Sequence, residues 1–453
     1  MNAEISPLDG RYRGRIGHLS AYFSEVALMH ARCLVELKYI EALDKTGLLA
    51  SLTKTEKERI KQTKATFTED DFARIKAIEK TVNQDVKSCE LFLREQLRLE
   101  NPGLIHFGLT SEDANNLAYT LLFEAYRTEQ QVPLLRQLVE RLCEMVQQWG
   151  AVPFPARTHG QAASPTTAGK ELAVFLARLL RQYQDLRQFR FRGKLNGSTG
   201  NYSALMAAFP EYDWIAFSRQ FVEGLGFDAN PCTTQIEDHD TWSAYFSLTK
   251  RINGIVLDMD LDLWAYISRG WFRLKPSEGE VSSSTMPHKV SPINFENSEG
   301  NLLLSNALLT ALADHLTQSR MQRDLADSTM TRNIGVALAH AHLAVTETLS
   351  GLGKLALDAE AIDCALEAAP EVLAEAYQTI LRTTPIEDPY TMLKELTRGR
   401  RVSLVDLHRF VDGLDVSGVV KTQLKGLKVV DYVGAAARIC ELVLAEAKKE
   451  LSE

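Results

Sequence analysis

Leu248–Tyr266 reads LTKRINGIVLDMDLDLWAY. Within it Leu248, Ile252, Ile255, Met259, Leu263 and Tyr266 recur at steps of three and four, which stacks them on one face of an α-helix. The same spacing returns at Leu135, Leu138, Leu142, Val146 and Trp149, and at Leu172, Phe175, Leu179, Tyr183 and Leu186. It occurs again after Ser20, at Val26, Met29, Cys33, Leu37 and Ile40, and the run Asn294 to Leu316 is helical too. A helix of about 25 residues is about 38 Å long, so several packed side by side make an extended bundle. Strand signals are scarce: period-2 runs are few, and Asn196-Gly197 marks a turn inside the loop GKLNGSTGNY rather than a hairpin. The expected fold is all-α.

Two helix starts carry recognisable punctuation. Ser164-Pro165 offers an N-cap followed by the proline favoured at the first helical position, and Thr110-x-x-Asp113 resembles a capping box. Soft boundaries fall near Thr110-Ser111 and near Gly351 to Gly353, where a helix is expected to end in glycines. The sequence therefore divides into an N-terminal helical domain (1–111), a central long-helix bundle (112–353) and a C-terminal domain (354–453). Pro370, Pro385 and Pro389 break the last of these into shorter helices.

The totals set limits. A chain of 453 residues, 45% hydrophobic and 24% charged, is an ordinary globular sequence with length for a sizeable core. A formal net charge of −8 argues against binding a nucleic-acid backbone, which needs clustered Lys and Arg, yet leaves room for a small anion held by a few arginines. The six cysteines (Cys33, Cys89, Cys143, Cys232, Cys364, Cys440) show no C-x-x-C or zinc-like spacing and read as free core thiols of a reducing compartment. The opening MNAEISPLDGRYRG lacks a signal-peptide pattern, and no run of about 18 apolar residues occurs. A cytoplasmic protein, not engaging membrane or nucleic acid, is the expectation.

Several motifs invite a chemical reading. GLGFDA from Gly224 and GLGKLA from Gly351 match G-x-G-x-x-A, but neither follows a strand and opens a helix, so the dinucleotide reading fails on context. His340 and His342 lie two apart on a helical pattern, which turns their rings to different sides instead of toward one metal. Arg157-Thr158-His159-Gly160-Gln161 places an ionisable imidazole among small residues just ahead of Ser164-Pro165, and the glycines of Gly197-x-x-Gly200-Asn201 serve either a turn or close approach to a ligand. Residues 270 to 291 form a long connector holding SSSTMPHK (Ser282–Lys289), either a solvated loop or a lid over an anion. A serine there becomes a base only where N–H groups and a cation stabilise its alkoxide; Lys289 and the helix start after Pro292 suit that task. Arg323 and Arg332 with Ser328 between them read either as a solvated helix face or as a phosphate clamp.

Taken together, SSSTMPHKVSP, RTHGQ, GLTSEDANN and the arginine cluster resemble the fumarase/aspartase superfamily of elimination enzymes. The first is close to its Ser-Ser-x-x-Pro-x-Lys-x-Asn signature. The forms STMPHK, FENSEGN (Phe295–Asn301) and DSTMTRN (Asp327–Asn333) look like the longer bacterial adenylosuccinate lyases, and the similarity runs from Ser6 to the KELTRGR beginning at Lys394. The resemblance implies elimination of fumarate from adenylosuccinate and from the succinyl-carboxamide ribotide of purine synthesis. Ser284 would be the base, His159 the acid on the departing nitrogen, and Glu296 the group orienting that histidine. Arg11, Tyr12, Ser298, Arg323, Ser328 and Arg332 would hold phosphate and ribose. Asn83, Gln84 and Asp85 match a further substrate triplet, and Thr110, Ser111, Gln235, Met286 and Lys289 would surround the succinyl carboxylates. It also implies a homotetramer with sites shared between subunits, and neither metal nor organic cofactor. Three positions depart from the pattern: Ser282 stands for glycine, Ser291 for asparagine and Gln84 for histidine. The other readings are a sister lyase, such as one acting on argininosuccinate, and a catalytically silent helical scaffold.

Overall fold

The computed structural model describes residues 4–49, 51–276, 285–286, 288–400 and 402–452. Helices dominate, in the order α1 (Glu25–Thr46), α2 (Lys54–Ala65), α3 (Glu69–Val82), α4 (Asp85–Leu97), α5 (Ser111–Tyr126), α6 (Val132–Trp149), α7 (Ala168–Arg187), α8 (Trp214–Gly224), α9 (Asp240–Ser268), α10 (Ile293–His315) and α11 (Ile334–Lys354). Helices of eight or nine residues follow, before a final helix, Ala436–Ser452. The apolar stripes are the buried faces. Met29, Cys33, Leu37 and Ile40 of α1 are buried, as are all five stripe residues of α6 and of α7 and Leu248 to Leu263 of α9. Val26 departs from its stripe and is exposed, one turn before the packed part of α1 begins. The chain is all-α in class, as the three- and four-residue periodicity requires.

Caps fix the helix starts. Ser24 Oγ accepts from Ala27 N–H at 3.1 Å ahead of α1, and Thr53 with Glu56 and Thr68 with Asp71 form reciprocal capping boxes at α2 and α3. At α5 the expected Thr110–Asp113 pairing is present, Thr110 N–H donating to Asp113 Oδ2 at 2.8 Å.

Ser164-Pro165 starts no helix. These residues belong to β2 (Gln161–Thr167), which pairs antiparallel with β1 (Pro153–Thr158). The α7 helix begins three residues later, where Thr167 Oγ1 accepts from Lys170 N–H at 3.2 Å. Two features override the sequence expectation. The prolines at 153, 155 and 165 suit extended backbone, and the threonines at 158, 166 and 167 are stiff, β-favouring side chains. The register slips between Phe154 and Ala156, where Pro155 has no N–H to give the ladder. His159-Gly160 is the two-residue turn, with φ of 50° and 74°, the pair of positive angles that a tight hairpin requires.

A second pairing also escapes the periodicity: β3 (Phe272–Leu274) lies antiparallel to β4 (Leu355–Leu357), so the long connector opens as a strand. Correspondingly α11 runs through Gly351 and Gly353 to Lys354 instead of ending at them. Gly351 is a close-approach glycine, since a Cβ there would sit 2.7 Å from ring carbons of the buried Phe295. Not every cysteine is a core thiol either: Cys33, Cys89 and Cys440 are buried, but Cys232 and Cys364 are exposed.

The chain forms two compact units, one of residues 1–134, 185–254 and 300–344, the other of 135–184, 255–299 and 345–453. All the internal boundaries fall inside helices, which is why no linker composition marks them. The first unit holds an apolar cluster that includes Met29, Ile40, Ile75, Phe92, Leu97 and Ile105. The second holds one that includes Leu373, Tyr377, Leu393, Leu407 and Leu424.

Replacing Gly351 by Ala overpacks the Phe295 contact and should lower stability by about 1–3 kcal/mol. Gly353, with open space around it, gains helix propensity instead, so Gly353→Ala should stabilise by up to about 1 kcal/mol. Thermal unfolding midpoints that shift in opposite directions meet this expectation; equal shifts refute it.

Candidate active site

A cavity of about 460 Å³ in the first unit is lined by Asn83, Gln84, Asp85, Ser111, Arg323, Ser328 and Arg332, seven of the residues singled out from sequence. Its walls come from a helix junction. Asn83 takes a left-handed conformation (φ 52°) that closes α3, and Gln84, the N-cap of α4, accepts from Lys87 N–H. The chain thus reverses between two helices and turns this triplet toward the start of α5, where Gln84 Nε2 donates to Ser111 Oγ at 2.9 Å. The amide in the position of a family histidine is engaged as a neutral hydrogen-bonding group, which needs no charge.

Charge is balanced locally. Asp85 lies 2.9 Å from Arg32 and 3.6 Å from Arg332. Burial pushes the Asp85 carboxyl upward, but the Arg32 guanidinium and the Val86 N–H outweigh it and leave the group below the usual range, so it is an anion at neutral pH. Arg323 pairs with the buried Glu112 at 3.0 Å and reaches Ser328 Oγ at 3.4 Å. The buried Nε of Arg323 has no acceptor among the described residues. Two arginines with an adjacent hydroxyl and a spare buried N–H form a donor set that suits phosphate oxygens.

Sequence reasoning missed Arg32, Glu112, Asn115 and Tyr119, which also line this cavity. Arg32 is almost wholly buried and its Nε and Nη2 both donate to Asn115 Oδ1, at 3.0 and 2.7 Å. The available signal was a cation between Met29 and Cys33, inside the apolar stripe of α1.

The remaining candidates lie apart from this lining. In the first unit, Arg11 sits over the Tyr12 ring at 5.9 Å, Thr110 caps α5, and Gln235 Nε2 donates to Ser198 O at 3.1 Å. In the second unit, His159 is exposed at the tip of the β1–β2 hairpin, and Glu296, in the first turn of α10, accepts from Trp264 Nε1 at 3.1 Å. Met286 and Lys289 are exposed, with Lys289 N–H donating to Met286 O at 3.2 Å. Ser284 and Ser282 lie outside the described residues. Ser291, at the family asparagine position, accepts from Ile293 N–H through its carbonyl at 2.8 Å.

Ser298 is fully buried, and Thr348 Oγ1 lies 2.9 Å from its hydroxyl and 2.9 Å from Asp260 Oδ2. Burial pushes the Asp260 carboxyl from 3.8 up to about 8, against the opposing hydrogen bonds from Ser298 and Thr348. Between those two values the folded chain holds a proton that the unfolded chain has lost, so this group lowers stability as pH rises from 3.8 to about 8. Asp260→Asn should therefore raise the unfolding midpoint relative to the parent chain at pH 8 and leave it nearly unchanged at pH 4. An equal offset at both pH values would refute the assignment of this proton to Asp260.

Known proteins are similar to the chain along nearly its whole length. Residues 10–306 match the family model described as Lyase, and residues 319–433 match the one described as Adenylosuccinate lyase C-terminal. The chain is 44% identical to the adenylosuccinate lyase of Escherichia coli (strain K12) over 95% of its own length and 96% of that protein. It is 43% identical to the adenylosuccinate lyase of Haemophilus influenzae (strain Rd), covering 96% and 98%. Among solved structures, a fumarate lyase from Mesorhizobium sp. BNC1 superposes with a TM-score of 0.78 at 16% identity, covering 95% of this chain and 97% of that one, which supports the fold alone. With two family models spanning the cavity-forming segments and identity above two fifths along nearly the whole length, the chain belongs to the adenylosuccinate lyase family.

Proposed function

We infer that the chain is a carbon–nitrogen lyase that eliminates fumarate from adenylosuccinate, giving AMP, and from the succinyl-carboxamide ribotide of purine synthesis. The observation that carries the phosphate-bearing substrate is the cavity in which Arg323, Ser328 and Arg332 stand beside Asp85. Guanidinium forks match phosphate oxygens, and a carboxylate among them suits ribose hydroxyls. By the family resemblance Arg11, Tyr12 and Ser298 also belong to the phosphate and ribose end of the substrate.

In the proposed reaction the Ser284 oxygen takes a proton from the carbon next to a carboxylate. The carbon–nitrogen bond breaks, His159 protonates the departing nitrogen, and fumarate leaves. Glu296 orients the histidine. Lys289 and nearby N–H groups stabilise the serine alkoxide, with Thr110, Ser111, Gln235 and Met286 around the succinyl carboxylates. An exposed histidine on a two-residue turn suits an acid delivered to a neighbouring molecule, which supports a homotetramer with shared sites. Exposed apolar side chains point the same way: Leu261 and Trp264 on α9, and Leu303 and Leu304 on α10. The division into residues 1–111, 112–353 and 354–453 belongs to the same proposal, supported by apolar clusters confined to the first and last of these segments. So does residence in the cytoplasm, where nucleotide substrates are made; no helix among the described residues is long and apolar enough to cross a membrane.

Purified protein offered adenylosuccinate, argininosuccinate, malate and aspartate in parallel should release fumarate from the first. Fumarate from argininosuccinate alone would assign a sister lyase, and none from any substrate a silent scaffold. Ser284→Ala and His159→Ala should each cut turnover by about two orders of magnitude or more with helical content intact. Arg332→Ala should mainly raise KM, by about tenfold, and less for a substrate analogue lacking phosphate.

A further inference from the structure

The loop Gly193–Tyr202 (GKLNGSTGNY) has no part in the reaction as described above, yet it contributes one half of a fully buried ion pair with α5. Lys194 and Asp113 both have zero side-chain exposure and meet at 2.9 Å. Removing two charges from water is tolerated only where further hydrogen bonds complete the pair. Here they do: Asp113 also accepts from Thr110 N–H (2.8 Å), Asn196 N–H (3.0 Å) and Gly197 N–H (3.1 Å), and Lys194 Nζ donates to Gly197 O at 3.1 Å. Asn116 brackets the Lys194 backbone, accepting from its N–H at 2.9 Å and donating to its carbonyl at 3.1 Å.

On the other side of the loop, Gly200 has φ 73°, and a Cβ there would fall 2.1 Å from Thr233 O. Only glycine lets the loop lie against residues 233–235, where Asn196 Nδ2 donates to Thr233 Oγ1 at 2.8 Å and Gln235 Nε2 to Ser198 O at 3.1 Å. A continuous set of hydrogen bonds and peptide links therefore runs from Thr110 through Asp113, Gly197 and Ser198 to Gln235. At its exposed crest the N–H groups of Ser198 and Thr199 have no acceptor among the described residues.

We propose that the Ser198–Thr199 crest is a further carboxylate-binding element for the succinyl group, acting beside Thr110, Ser111 and Gln235, and that Lys194 is its positioning residue. This rests on the elimination reading above, which gives those three residues to the succinyl carboxylates. Adjacent backbone N–H groups on a tight loop bind anions only while their directions are fixed. The ammonium fixes them by tying the loop carbonyl at 197 and the Asp113 carboxylate to one point.

The test separates the two ends of the substrate by using the products as inhibitors. In Lys194→Met, inhibition by fumarate and the KM for adenylosuccinate should weaken by about tenfold, while inhibition by AMP, which lacks the succinyl carboxylates, stays within about twofold. A purely structural role would lower the active fraction and leave both inhibition constants alone. Equal weakening of both, or of neither, overturns the proposal. If Lys194→Met does not fold, Gly200→Ala, which keeps the ion pair and pushes the crest off residues 233–235, decides by the same criterion. A parent chain that releases no fumarate would instead overturn the underlying function, and the positioning role is scored only against an active parent.

Discussion

Asp113 is the point on which the first unit's ligand-facing surface depends. A carboxylate three residues into α5 meets the positive end of the helix, receives the Thr110 N–H, and reaches the Asn196 and Gly197 N–H groups and the Lys194 ammonium. A helix cap and a loop-to-helix junction thus share one side chain. The same turn of α5 presents Ser111 to Gln84 and Glu112 to Arg323, so the cavity wall inherits its rigidity from the buried charge behind it.

Around the cavity, an acidic chain sets out a small number of cations with great selectivity. The formal charge of −8 is an average, and the local arrangement is what a phosphate ester would meet. Each arginine has a carboxylate counterpart in the free chain, Arg32 and Arg332 on Asp85 and Arg323 on Glu112. Pairing of this kind keeps the guanidinium planes oriented before ligand arrives and reduces the ordering cost of binding. The price is partial neutralisation, offset at Arg323 by the buried Nε that has no acceptor among the described residues.

Much of the helical architecture was legible because a packed helix leaves a stripe at steps of three and four. Where a stripe contained Leu135, Leu142 and Trp149, or Leu172, Leu179 and Leu186, those residues are the buried ones. The hairpin was not legible, because its strands carry prolines and do not alternate buried with exposed positions, and its turn is His-Gly instead of the usual Asn-Gly. That error moved the start of α7 from Ser164 to Thr167 and changed His159 from a residue before a helix to the tip of a hairpin. Gly351 shows the converse limit: a glycine near a helix end reads as a stop signal, whereas its reason is the Phe295 ring.

For the site, the sequence by itself singled out the Arg323–Arg332 cluster, His159 and the hydroxyl-rich stretch ending at Lys289, and marked the Asn83-Gln84-Asp85 triplet only through its resemblance to the family. Contiguous motifs can be read from one segment of the chain. What only the tertiary structure decided is which of them share a surface and what stands behind it. Arg32, Glu112, Asn115 and Tyr119 join the cavity from helices far apart in sequence, and Lys194 finds Asp113 across some eighty positions. Such meetings follow from how helix faces close on one another, a long-range property that periodicity along one segment does not encode.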